Sequence, residues 1–200
     1  GRHLSAVLRF ASYNDDQAAL LPLSLHLAAH EENYTPLANQ FRVFARSLDE
    51  AFAYGMHNSV ACSEDAPLID ADRVDRVALA ATHMGGEQVD QLIEACRDWP
   101  RGVVDTDLHA PLTSAAAALL LSGADDPVTP PEYAARAQRG FADSKHIVGA
   151  GHGHGQLAAP CVDRIMASFI RAGSAKDLDS SCTDKLAPMP FFTTLAGPAP

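Results

Sequence analysis

The groups in this chain best suited to acid–base chemistry lie in two short loops, each following an apolar run. The first, Gly123-Ala124-Asp125-Asp126-Pro127-Val128-Thr129-Pro130, follows the continuous apolar stretch from Ala115 to Ser122. The second, Gly149-Ala150-Gly151-His152-Gly153-His154-Gly155, follows His146, Ile147 and Val148. Short apolar runs that stop abruptly at glycine read as buried parallel strands. In open parallel sheets reactive groups gather where the strands finish at their carboxyl ends. An acid just past one strand and a histidine just past the next can meet at that rim. There the carboxylate fixes the imidazole's tautomer and stabilises its protonated form, which is half of a charge-relay arrangement. His152 and His154 sit in equivalent Gly-His-Gly settings, and residue type alone does not choose between them. A second chemistry is conceivable, since His-x-His can place two imidazoles on one metal ion. The glycines leave that loop too flexible to preorganise ligands and no second ligand pair has suitable spacing, so neither a metal nor another cofactor is expected.

The elements that must position these loops follow from periodicity. Pro131 to Arg139 reads as a helix between them, and Val162, Ile165, Met166, Phe169 and Ile170 mark a last helix closed by Gly173. The order strand, helix, strand, helix implies an α/β arrangement of parallel strands with crossover helices. The half before Pro111 reads as helical. Asp15 and Asp16 cap a segment running to about Glu32, in which Pro22 is permissible only in the first turns. Thr35 and Pro36 form an N-cap and first-turn pair, after which Leu37, Phe41, Phe44, Leu48 and Phe52 recur at helical spacing until Gly55. Glu87 to Arg97 puts Val89, Leu92, Ile93 and Cys96 on one face and ends before Trp99 and Pro100.

Composition narrows the function classes. With 15 Lys+Arg against 25 Asp+Glu, the formal net charge is -10, which repels phosphate backbones and anionic lipid. Nucleic acid is therefore not an expected partner. No apolar stretch is long enough to span a bilayer, since Leu20 to Ala29 is interrupted by Pro22, Ser24 and His26. Nothing at Gly1 has the form of an export signal, so any such signal is expected upstream. Cys62, Cys96, Cys161 and Cys182 allow three disulfide connectivities and include no C-x-x-C pair; four buried thiols are the alternative.

Leu119-Leu120-Leu121-Ser122-Gly123-Ala124-Asp125-Asp126-Pro127-Val128-Thr129-Pro130-Pro131 resembles the acid loop of α/β-hydrolases related to proline iminopeptidase and bacterial tripeptidyl aminopeptidases. The segment from His154 through Pro160-Cys161 to Phe169, Gly173-Ser174, Leu178-Asp179 and Cys182 is similar to the C-terminal end of that group. Gly55 to Val60, Cys62 to Asp65, and Cys96 before Trp99-Pro100 resemble its cap. The resemblance implies a helical cap over residues 1–110 and the C-terminal part of an α/β-hydrolase core over 111–186; the tail over 187–200, rich in Pro and small residues, reads as irregular. The resemblance also implies Asp126 as the acid. It places a cysteine seven positions after the base, which matches His154 and Cys161 and leaves His152 as second choice. It further implies disulfides Cys62–Cys96 and Cys161–Cys182, which require a secreted or periplasmic location, and a cap carboxylate, Glu64, for the α-ammonium of a peptide substrate.

The family's nucleophile stands in Gly-x-Ser-x-Gly, and no serine here has glycines at both flanking positions two away. The serine is expected in an N-terminal half that precedes Gly1 and acts as this chain's partner; the chain by itself is expected to be inactive. An esterase and a non-catalytic hydrolase-fold remnant that serves as a binding module are the alternatives to an aminopeptidase.

Overall fold

The computed structural model describes residues 2–198. Its elements in order are α1 (Arg2–Ala11), α2 (Asp15–His30), α3 (Thr35–Ala51), α4 (Tyr54–Glu64), α5 (Arg76–Ala80), α6 (Glu87–Arg97), β1 (Ala118–Gly123), α7 (Pro131–Gln138), β2 (Ser144–Gly149), α8 (Val162–Ala172), β3 (Phe192–Thr194) and β4 (Gly197–Pro198), with short 3-10 turns between some of them. The chain divides into two compact units, Gly1–Arg9 with Ala38–Ala110, and Phe10–Leu37 with Pro111–Pro200. One of the divisions falls between Ala110 and Pro111. The sequence reading put residues 10–37 with the helical half, whereas the structure groups them with the strands.

In the first unit, α4 packs against α6 and Cys62 is bonded to Cys96 across a sequence separation of 34. Both half-cystines are buried, at 0 % and 2 % exposure. Polar contacts extend the joint: Trp99 Nε1 donates to Ser59 Oγ at 3.2 Å, and Gly102 N–H donates to Ser63 Oγ at 2.9 Å. Trp99 therefore anchors the chain that leaves α6.

In the second unit, β1 and β2 are parallel, with register running from Ala118 opposite Ser144 to Gly123 opposite Gly149. Alternation then sends Leu119, Leu121 and Ile147 to one face, where they meet Ile165, Phe169 and Leu178. The other face carries Ser122 and His146, whose Oγ and Nε2 are 3.0 Å apart; burial lowers the His146 pKa. Helix α8 turns Val162 and Ile165 inward and stops at Gly173, whose φ of 62° is the left-handed conformation glycine adopts without strain. The Cys161–Cys182 bond joins the start of α8 to the segment after it.

Two elements depart from what periodicity suggests. Helix α2 continues through Pro22, well past its first turns, and buries Ala19, Ser24 and Ala28. Packing against β3 stabilises a helix that local propensity would interrupt. The segment after residue 186 is not wholly irregular, since β3 and β4 form a short antiparallel pair.

Candidate active site

The loop that leaves β1 turns at once. Ala124 N–H donates to Gly149 O at 2.9 Å and Asp125 N–H to His152 O at 3.0 Å, which binds the acid loop to the histidine loop through backbone alone. Asp126 then folds back over its own turn. Its Oδ1 accepts from Val128 N–H at 2.8 Å and Thr129 N–H at 2.9 Å, and its Oδ2 accepts from Thr129 Oγ1 at 2.9 Å. His154 Nδ1 stands 2.9 Å from Oδ2 and 3.2 Å from Oδ1. The Asp126 side chain is 4 % exposed and that of His154 42 %. The acid is enclosed, and a reactant can reach the imidazole.

Burial pushes the Asp126 carboxyl up, but the donors around it prevail: the N–H groups of Thr129 and Val128, His154 and the Thr129 hydroxyl together hold its pKa down at about 2, from an ordinary 3.8. Asp126 is therefore ionised at neutral pH, and an ionised carboxylate only accepts. His154 Nδ1, which faces it, must therefore donate, so that in a neutral imidazole Nε2 is the bare nitrogen. A depressed folded-state pKa contributes stability that is fully present above the unfolded value of 3.8 and is lost as pH falls towards about 2. Allowing for solvent screening, we expect about 1 to 2 kcal/mol from this source. Urea unfolding of wild type and Asp126→Asn as a function of pH checks this: the gap between them should close on descending from pH 5 to pH 2.

Glycines at the two strand ends make the approach of the loops possible. A Cβ on Gly123 would lie 2.1 Å from Gly153 O and 2.2 Å from His152 O; one on Gly149 would lie 2.6 Å from Gln156 Oε1 and 3.2 Å from His152 Cδ2. Gln156, buried, closes the loop by donating from Nε2 to Gly153 O at 2.8 Å. On the far side, His154 N–H donates to Tyr13 O at 2.9 Å, and Gly151 lies against Pro188. Gly123→Ala must displace backbone and not merely a flexible side chain. We expect it to cost about 1 to 3 kcal/mol, which thermal unfolding will measure.

A family model described as TAP-like protein matches residues 81–182, just over half of the chain. The chain belongs to the TAP-like family of α/β-hydrolases. No curated protein and no solved structure matches it. The matched span of this TAP-like chain includes both β1 and β2, Asp126, His152 and His154.

Of the residues singled out by sequence in this TAP-like chain, Asp126 and His154 are brought together, while Asp125 is exposed. His152 pairs with Asp15, its Nδ1 2.5 Å from Oδ2. Glu64 ends α4, in the first unit. All four cysteines are in the disulfides Cys62–Cys96 and Cys161–Cys182. Among the described residues no group of three or more His, Cys, Asp or Glu is placed to hold a metal. Sequence reasoning gave no role at the site to Thr129 or Tyr13, and read Asp15 only as a helix-capping acid. The Asp-x-x-Thr spacing could have signalled Thr129, because an aspartate commonly accepts from N–H groups two or three residues on. Nothing local signals Asp15, which is 138 residues from its partner Gly153.

Proposed function

We propose that this chain is the C-terminal part of a secreted serine hydrolase, an aminopeptidase that releases residues or short peptides from free amino termini. One observation carries the reading: an enclosed, ionised carboxylate lies 2.9 Å from Nδ1 of an accessible histidine. In this reading a serine Oγ from a segment outside the chain attacks the scissile carbonyl carbon as His154 Nε2 takes its proton. Asp126 holds the imidazole in the required tautomer and stabilises the imidazolium. The same proton then passes to the leaving amine. Water, deprotonated in turn by His154, hydrolyses the acyl-serine and restores the site.

Glu64 is the proposed ligand of the substrate's α-ammonium group. The two disulfides support a secreted or periplasmic setting, because such bonds persist in oxidising compartments. The test is a panel of peptides with free and blocked amino termini, together with simple acyl esters, offered to this chain assembled with its serine-bearing segment. Faster turnover of free-amino peptides supports the aminopeptidase; preference for blocked peptides or esters makes it an esterase. Glu64→Gln should raise KM for free-amino peptides by roughly tenfold or more, the cost of one charge-assisted hydrogen bond, and leave blocked peptides unaffected.

The absence of Gly-x-Ser-x-Gly favours a second reading, a hydrolase-fold remnant that binds without catalysing. The coding sequence upstream of Gly1 discriminates: a nucleophile elbow there supports the enzyme, and its absence supports the remnant.

A further inference from the structure

The loop that carries His154 is rich in glycine, with Gly151 and Gly155 at φ of 71° and 92°, and such a loop has little stiffness of its own. Three consecutive residues of it are tied to one short stretch at the start of α2. His152 Nδ1 is 2.5 Å from Asp15 Oδ2, Gly153 N–H donates to Asp15 Oδ1 at 2.7 Å, and His154 N–H donates to Tyr13 O at 2.9 Å. The approach is close enough that a Cβ on Gly153 would lie 2.7 Å from Tyr13 O, and the Tyr13 ring stands 5.6 Å from that of His154. The side chains of His152 and Asp15 are 17 % and 26 % exposed, so water competes only partly for their bond. Asp16, next along the same helical turn, is exposed and touches Gln17 instead. Asp15 therefore has a duty its neighbour lacks.

We propose that Asp15 is a positioning residue: by holding His152 and Gly153 at once, it sets the path of the loop so that His154 meets Asp126. This rests on the acid–base reading of Asp126 and His154 given above. Catalytic groups must be held within roughly half an ångström of their productive geometry, by side chains that are themselves locked. A glycine loop achieves that only through anchors outside itself, and two oxygens of one carboxylate on adjacent residues remove most of its freedom. His152, equivalent to His154 in its sequence setting, takes the role of tether.

The test uses the intact protein labelled with ¹⁵N-histidine, reading the tautomer of the His154 ring from its nitrogen shifts and the exchange rate of the His154 amide. Asp15→Asn should speed that exchange roughly tenfold to a hundredfold, the loss of a charged hydrogen bond, and spread the ring between its two tautomers. Asp16→Asn removes the same charge from the same helical turn and should change neither. Should Asp15→Asn fail to fold, His152→Gln gives the second measurement and should likewise disturb the His154 ring. Identical behaviour of the Asp15 and Asp16 variants, or an undisturbed ring in His152→Gln, overturns the proposal. Asp126→Asn separates the two ideas. If it shifts the His154 ring while Asp15→Asn does not, only the positioning role is lost; if it leaves the ring unchanged, the acid–base reading fails and this inference with it.

Discussion

Asp126→Asn should lower kcat of the assembled hydrolase by about 10⁴-fold with little change in KM, the magnitude of the same change in the serine-protease triad. The reason lies in tautomers, not in a lost fold. Asparagine can still accept from the N–H groups of Val128 and Thr129 through one oxygen. Its NH₂ then faces His154 Nδ1, and an NH₂ donates where the carboxylate accepted. The imidazole answers by moving its proton to Nε2, the atom that must be bare to take the serine's proton. Progress curves under saturating peptide, with far-ultraviolet circular dichroism to show an unchanged fold, measure the effect. A loss below tenfold would mean that Asp126 does not orient the base.

Removing the Cys161–Cys182 bond, by paired substitution to serine, should instead strike stability. Cross-linking residues 21 apart restricts the unfolded chain by about 3 kcal/mol on a chain-entropy account. For a protein of this size that corresponds to a fall of roughly 6 to 12 °C in Tm. The position adds a consequence. Cys161 has a left-handed φ of 68° immediately before α8, a conformation a residue with a Cβ holds only when its surroundings enforce it. The bond to Cys182 is one of those surroundings, and both half-cystines pack against Ile147, Ile165 and Leu178. Calorimetry of wild type and the double variant, each with and without reductant, gives the answer: reductant should lower Tm in the wild type by more than in the variant, which keeps only Cys62–Cys96.

Helix α6 begins and ends where its apolar face and flanking Trp99-Pro100 indicate, because the information is contained within a few turns. The parallel pairing of β1 and β2 follows from element order. Strand β1 starts at Ala118 and not at Ala115, since Ser114 Oγ takes the Ala116 N–H and Ser114 N–H goes to Gly140 O. An alanine run carries no mark of that turn. Helices α1 and α4 went unread because neither carries a strong start signal, whereas α5 has one in Asp75, which accepts from Ala78 N–H at 2.9 Å, but spans only five residues.

At the site, Asp126 was singled out through the resemblance of its loop to the family's acid loop, while the part Thr129 plays in that turn was not read. The choice between His152 and His154 was not legible from local chemistry, for both are flanked by glycines. Space decides it. One imidazole meets the carboxylate of the neighbouring strand's loop and the other meets Asp15, which local pattern reads as a helix-capping acid and which instead holds a loop far along the chain. Long-range ties of this kind leave no period in a sequence.

The central proposal is that His154, oriented by Asp126, activates a serine supplied from outside this chain. A fluorophosphonate probe reports that activation directly, since it phosphonylates a serine in proportion to its nucleophilicity. In the assembled hydrolase, wild type should be labelled rapidly at one serine, and His154→Gln should slow labelling by about 10³-fold or more. Labelling of His154→Gln at the wild-type rate, with His152→Gln abolishing it instead, would contradict the account.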